Sequence, residues 1–156
     1  MTDHRLNDFG RLAASTEMSP RQVVEKPELL RLVPAGTRLY LTDLGNVGED
    51  DIVRAARAVT DAGLVAVPHM AARRYPSFAA FEYRLTRLVA EAGVREVLAV
   101  AGEAPTPGPL TSSVAMIETG LFDRLGITRI AVAGHPEGAP EISRETIRAF
   151  LMRKHE

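Results

Sequence analysis

The sequence contains no cysteine among its 156 residues. This absence excludes disulfide bonds, thiolate nucleophiles and metal sites with cysteine ligands. The chain also lacks an excess of charge of either sign, because its formal net charge is only −1. The charge balance therefore gives no reason to expect nucleic acid or a membrane surface as a partner.

Long apolar runs are missing as well. No stretch approaches the roughly 18 apolar residues that a membrane span requires. Residues 1–11 mix acidic, basic and histidine side chains and contain no apolar core, so they do not have the pattern of a secretory signal. We therefore expect a cytoplasmic protein in a reducing compartment.

What the sequence does contain is an ordinary globular composition, with 46% hydrophobic and 25% charged residues. A chain of this length can bury one substantial core. No linker or low-complexity stretch divides it, so we expect residues 1–156 to form a single domain.

Four glycines, spaced about 30 residues apart, each precede a short apolar run. About 30 residues is the length of a β-strand–α-helix unit, and glycine is the usual residue just beyond the last turn of a helix. The strands are continuously apolar rather than alternating, as expected for a parallel sheet covered by helices. The glycines are Gly36, Gly63, Gly93 and Gly126, and the strands that follow them lie at 39–41, 64–67, 97–100 and 130–132.

The segments between the strands have the periodicity of amphipathic helices. A first short strand over 14–18, a helix over 27–33 and a helix cap at Ser77 complete the pattern. The predicted apolar helix faces are Ile52, Ala56 and Val59; Phe78, Phe81, Leu85 and Leu88; Val114, Ile117, Leu121 and Leu125; and Ile147, Phe150 and Leu151.

About five parallel βα units are compatible with two α/β architectures. One is an open, doubly wound sheet of the flavodoxin type, and the other is part of a TIM (βα)8 barrel, which needs about 250 residues when complete. Periodicity does not separate them. In both, ligands bind at the carboxyl ends of the strands.

Polar or ionisable side chains follow every predicted strand. Glu17 lies at the end of the first strand, where it is either a general acid whose charged form is disfavoured by partial burial, or the ion-pair partner of Arg21 or Arg73. The other strand-end groups are Thr42, Asp43 and Asn46; Pro68, His69 and Arg73; Gly102 and Glu103; and Gly134, His135, Pro136 and Glu137.

The remaining strand-end residues also have two interpretations each. His69 and His135 are either functional or structural hydrogen-bonding groups. Glu103 either accepts hydrogen bonds from a heterocycle or caps the next helix. The loop 104–113 is rich in proline and glycine, and loops of this length often wrap a ligand.

A divalent metal is a further alternative. His69, His135, Glu17, Asp43 and Glu103 could surround such an ion, although neither an H-x-H nor an H-E-x-x-H spacing supports it. We therefore expect no metal.

Four segments in register resemble the methylenetetrahydrofolate reductase family. Segment 68–73, Pro-His-Met-Ala-Ala-Arg, is similar to the family's Pro-His-Leu segment after the third strand. Segment 100–105, Val-Ala-Gly-Glu-Ala-Pro, resembles its Gly-Asp turn after the fourth strand. Segment 133–140 resembles its Tyr-Pro-Glu-x-His-Pro segment, and segment 15–20 matches its first strand more loosely.

The resemblance implies a flavoenzyme on a (βα)8 barrel, with FAD at the carboxyl ends of the strands. NADH or NADPH would reduce the flavin, which would then reduce methylenetetrahydrofolate to methyltetrahydrofolate in one-carbon and methionine metabolism. Glu17 would be the acid that protonates the folate, and Glu103 would replace the family's aspartate near the flavin ring and pterin. The implied flavin-contacting positions are Thr42, His69, Gly102, Glu103, Thr111, Ser112 and His135.

The resemblance also implies that these residues form the N-terminal half of such a barrel. A half-barrel leaves sheet edges unpaired and its core half open, so we expect a homo-oligomer or a partner chain that completes it. The alternative to a reductase is a non-catalytic half-barrel that binds folate or flavin. In either case we expect the chain alone to bind FAD weakly and to have little reductase activity.

Overall fold

The computed structural model describes residues 14–134 and 143–155, except for the side chains of 150, 151 and 153–155. This part of the chain forms five strands and six α-helices in alternation. The strands are β1 (Thr16–Met18), β2 (Arg38–Leu41), β3 (Val65–Ala71), β4 (Glu96–Val100) and β5 (Arg129–Val132). The helices are α1 (Pro20–Glu25), α2 (Glu49–Asp61), α3 (Phe78–Ala92), α4 (Ser113–Ile117), α5 (Leu121–Arg124) and α6 (Arg144–His155), with 3-10 turns at Pro27–Leu32 and Ala72–Arg74.

The five strands form one parallel sheet in the order β1-β2-β3-β4-β5. The predicted α/β class and the run of about five βα units are therefore confirmed. A doubly wound sheet reverses its strand order at one point, which creates its binding crevice. The order of this sheet contains no such reversal, so the flavodoxin-type alternative does not describe it.

The hydrophobic core lies on one face of the sheet. Alternate side chains of each strand point to that face, and those of Leu39, Leu41, Ala66 and Met70 are buried. They share one core cluster with apolar side chains of α2 and α3. The helix face predicted over 52–59 is thus confirmed.

The opposite face of the sheet, which we call the open face, carries Glu17, Arg38, Tyr40, Thr42, Val65, Val67, His69, Glu96, Leu98 and Ala131. Among the described residues, none of these side chains belongs to the core cluster. Most of them are partly exposed, although Val67 is buried. The sheet therefore has one face packed against helices and one face that the described helices leave largely uncovered.

An ion pair crosses the amino-terminal half of the open face. The guanidinium group of Arg38 on β2 donates to both carboxylate oxygens of Glu96 on β4, at 2.6 and 3.0 Å. Because β3 lies between these two strands, the ion pair reaches across β3. The carboxyl-terminal half of the open face is therefore the part that this ion pair does not cover.

Most helix ends lie where the sequence predicts them. Gly63 and Gly93 have φ angles of 76° and 65°, the left-handed conformation expected after a helix. The Ser77 side chain accepts a hydrogen bond from the Ala80 amide at 3.1 Å, which confirms the predicted cap. Phe78, however, is 55% exposed, so its assignment to the buried face was wrong.

Two predicted helices differ from the structure for local reasons. The segment predicted as one helix over 114–125 is divided into α4 and α5, because Gly120 adopts a φ of 67° between them. The segment predicted as a helix over 27–33 is a 3-10 turn, and α1 precedes it. Ser19 and Gln22 form a reciprocal capping box that starts α1.

β3 is longer than the sequence pattern predicted. It continues through Pro68 and ends only at Ala71, so His69 lies within the strand and not after it. The register with β2 ends at the pair Leu41–Pro68, and the register with β4 begins at the pair His69–Leu98. Pro68, which has no amide hydrogen, thus marks the point at which β3 changes its paired neighbour.

Candidate functional site

Glu17 and His69 meet on the open face near the carboxyl ends of the strands. Glu17 pairs with Tyr40 across β1 and β2, and the ring of Tyr40 meets that of His69 edge to face at 6.2 Å. The Glu17 carboxylate reaches past β2, so that its Oε2 lies 3.6 Å from His69 Nε2. Two predicted site residues from non-adjacent strands are thereby brought together.

The structural alternative for Glu17 was an ion pair with Arg21 or Arg73. In the structure Arg21 binds Glu25 at 2.7 Å, one helical turn away. The Arg73 Nε donates to the carbonyl oxygen of Thr111 at 3.0 Å. That alternative was therefore wrong, and the Glu17 side chain remains 59% exposed.

His69 is held mainly in its neutral form. Its side chain is 17% exposed, and burial lowers its pKa below the usual value. The negative charges of Glu17 and Asp43 act in the opposite direction but are the smaller effects. At neutral pH the imidazole can therefore donate one hydrogen bond and accept another.

Thr42 lies beside His69 on the open face. Continuing the register of β2 and β3 beyond Leu41 and Pro68 places Thr42 opposite His69. Within the described residues, neither the Thr42 hydroxyl oxygen nor His69 Nε2 has a hydrogen-bond partner, although both atoms are buried. A buried polar atom without a partner costs about 1–3 kcal/mol, so two such neighbours mark a place where a ligand would be stabilising.

Gly102 allows the loop after β4 to approach the end of β3. Its φ is 71°, and a Cβ atom on it would lie 2.7 Å from the Cβ of Ala71. Ala71 is two residues beyond His69 and therefore on the same face of the strand. Any larger residue at position 102 would push this loop away from the site.

The same loop, residues 101–112, is fixed to the 3-10 turn Ala72–Arg74 by four hydrogen bonds. The Arg73 amide donates to Ala101 O at 2.9 Å, and the Gly108 amide donates to Arg73 O at 2.9 Å. The two arginine side chains bind the carbonyl oxygens of Glu103 and Thr111, at 2.9 and 3.0 Å. The predicted ligand loop is therefore held at the sheet edge by its backbone.

The side chains predicted in this loop have different surroundings. Those of Glu103 and Thr111 are exposed. Ser112, not Glu103, caps the next helix, because its hydroxyl accepts a hydrogen bond from the Ala115 amide at 3.1 Å. The helix-capping alternative for Glu103 was thus wrong, and Ser112 has a structural contact that the sequence did not suggest.

Behind the site lies a charged network that sequence reasoning missed. Asp43, only 6% exposed, binds Arg84 at 2.7 Å and Arg74 at 3.4 Å. Arg84 also donates to Glu49 and lies 5.0 Å from the centre of the Tyr75 ring. Burial acts to lower the pKa of Arg84, but Tyr75 and the two carboxylates together raise it above its usual value.

No sequence signal pointed to these partners, because they are separated along the chain by up to 41 residues. The network joins the loop after β2, the turn after β3 and helix α3. It therefore fixes the loops on the helix-covered side of the candidate site.

His135 and most of the segment 133–140 lie outside the described residues. In the part of the chain that the structure describes, no three histidine or acidic side chains come together as a metal site would require. The metal alternative thus gains no support there. Likewise, no helix within 14–134 or 143–155 combines the length and apolar character needed to cross a membrane.

Glu17, Thr42 and His69 therefore form one cluster, and Gly102, Glu103, Thr111 and Ser112 belong to the loop that adjoins the end of β3. No model of a known protein family matches the chain.

Proposed function

We propose that the open face is the inner wall of a partial TIM barrel that binds FAD, and that its site reduces 5,10-methylenetetrahydrofolate to 5-methyltetrahydrofolate. NADH or NADPH would be the electron donor. The observation that carries the proposal is the cluster of Glu17, Thr42 and His69, in which a carboxyl group adjoins two buried polar atoms that have no hydrogen-bond partner within the described part of the chain.

The residues present suit a flavin. An isoalloxazine ring is planar and apolar on both faces, while its edge carries hydrogen-bond donors and acceptors. The Thr42 hydroxyl can both donate and accept a hydrogen bond, and its buried oxygen has no partner among the described residues. Gly102 lets the backbone of the adjoining loop come close to the same edge of the sheet.

When bound, the flavin would supply the hydride chemistry, and the protein would hold the reactants and move protons. Glu17 is the group suited to proton donation, because it projects from β1 over the open face and remains accessible. The exposed carboxylate of Glu103, on the loop after β4, would then contact the folate side of the site.

We expect the chain to bind FAD weakly but saturably, as measured by quenching of flavin fluorescence. Replacing Thr42 with valine keeps the shape of the side chain and removes one hydrogen bond. A typical hydrogen bond contributes about 1 kcal/mol, so the Kd for FAD should rise about fivefold. Thr86→Val is the matched control, since Thr86 is exposed on α3.

Absence of saturable binding, or an equal Kd in the Thr42→Val and Thr86→Val variants, would contradict a flavin site at this position. Steady oxidation of NADH with menadione in the presence of added FAD would extend the result from binding to electron transfer.

A second candidate function is a half-barrel that pairs with another chain and need not be catalytic. It is favoured by the partly exposed apolar side chains of Val65, Leu98 and Ala131 on the open face, and by β1 and β5, which within the described residues pair on one side only. We expect light scattering after size exclusion to show a dimer or larger assembly. A monomer with cooperative unfolding would argue against this candidate.

A further inference from the structure

The side chains of His69 and Glu17 are placed so that His69 can fix the position of the Glu17 carboxyl group. Their side chains come from β3 and β1 and meet above β2, so no backbone contact links them directly. The distance of 3.6 Å between Nε2 and Oε2 is longer than a hydrogen bond but short enough for the charges of the two groups to interact directly. A small movement of the flexible Glu17 side chain would shorten this distance to that of a hydrogen bond.

The two side chains also differ in how freely they can move. His69 is a residue of a central strand, its ring rests against Tyr40, and its Nε2 is buried. Glu17 is largely exposed, and within the described residues its one ionic contact is with this imidazole. The fixed ring therefore determines where the mobile carboxyl group can form a hydrogen bond away from water.

We propose that His69 is the positioning residue of Glu17, holding the carboxyl group over the open face and sharing its proton. This rests on the proposed function, in which Glu17 is the proton donor. With the site covered, the protonated carboxyl group donates to the neutral Nε2, or the carboxylate accepts from the protonated Nε2; the two forms differ only in the position of one proton.

Proton transfer to the folate nitrogen breaks the O–H bond of Glu17 and forms an N–H bond on the substrate. The pair then holds one proton fewer, with the Glu17 carboxylate beside the lone pair of His69 Nε2. Solvent returns the proton after the product leaves, so the protein is restored and no electrons pass through either residue.

The other groups that face His69 do not replace Glu17 in this role. Asp43 contributes a negative charge, but its carboxylate is bound by Arg84 and Arg74. Tyr40 presents its ring and Thr42 its neutral hydroxyl, and the residue paired with His69 on β4 is Leu98. Glu17 is therefore the mobile acidic group at the imidazole.

The test is an NMR titration of the imidazole of His69 in the ligand-free chain, so it does not depend on flavin binding. An interaction of about 1 kcal/mol is expected for unit charges at this distance in a water-like medium. Glu17→Gln should therefore weaken the proton affinity of His69 about fivefold. Glu82→Gln is the control, because Glu82 is equally exposed at 59% and pairs with Arg124 on the surface.

A shift of the His69 titration in Glu17→Gln but not in Glu82→Gln supports the proposal. An unchanged His69 titration in Glu17→Gln, or an equal shift in Glu82→Gln, would overturn it, while FAD binding by the same samples tests the proposed function separately.

Discussion

Replacing Asp43 with alanine is expected to lower the free energy of unfolding by about 3–5 kcal/mol, the usual cost of removing one partner from a buried ion pair. The Asp43 carboxylate binds Arg84 and Arg74 and accepts the Gly45 amide at 3.0 Å. Without it, the positive charge of Arg84 stays buried with Glu49 as its only carboxylate partner among the described residues. Urea-induced unfolding measures the loss.

Asp50→Ala provides a matched control for this experiment. Asp50 also binds an arginine of α3, Arg87, at 2.6 Å, but its side chain is 81% exposed. An exposed pair contributes about 0–1 kcal/mol, so this variant should unfold at nearly the wild-type urea concentration. Similar losses in the two variants would show that the network of Asp43 is not a buried one. If Asp43→Ala fails to fold, Asp43→Asn, which keeps the contact with Gly45, gives the same comparison.

Replacing Gly108 with alanine is expected to detach the loop after β4 from the turn that holds it. A Cβ atom on Gly108 would lie 1.7 Å from the carbonyl oxygen of Tyr75, a distance that no side-chain rotation can relieve. The backbone must move and lose the hydrogen bond from Gly108 to Arg73, at a cost of about 1–3 kcal/mol. Amide hydrogen exchange at Gly108 and Arg73 should become faster.

Gly48→Ala is the control, because a Cβ atom there meets nothing within 4 Å and the φ of Gly48 is negative. Its unfolding free energy should stay within about 0.5 kcal/mol of wild type. Unchanged exchange at Gly108 and Arg73 in the Gly108→Ala variant would mean that the loop is not fixed in this way.

The repeat was the part of the fold that the sequence predicted best. Glycines such as Gly63 and Gly93 end helices at a regular spacing, and each helix carries a clear apolar face. These signals are local, so a single sequence displays them. The order of the strands is not local, and only the structure separated a sequential sheet from a doubly wound one.

The errors have physical causes that can be named. A proline is uncommon inside a central strand, so the sequence predicts that the strand ends before Pro68 and that His69 lies beyond it, whereas β3 continues to Ala71. In the same way, the left-handed Gly120 divides a segment whose apolar pattern is continuous. In both cases the path of the backbone differs from the one that the residue pattern predicts.

For the site, the sequence identified the strand-end residues but not their contacts. The meeting of Glu17 with His69 depends on strand order and on which face each side chain takes. The partners of Asp43 depend on the position of α3 relative to the loop after β2. Neither can be inferred from spacing along the chain.

The missing amide hydrogen of Pro68 has a consequence for how the molecule holds together. The ladder of β1, β2 and residues 65–68 is separate from the ladder of residues 69–71, β4 and β5. Glu17 lies in the first ladder and Thr42 directly follows its strand β2, while His69 lies in the second ladder and Gly102 follows its strand β4. A ligand that bound all four residues would connect the two ladders across Pro68. Occupancy of the site would therefore make the unfolding of the whole sheet more cooperative.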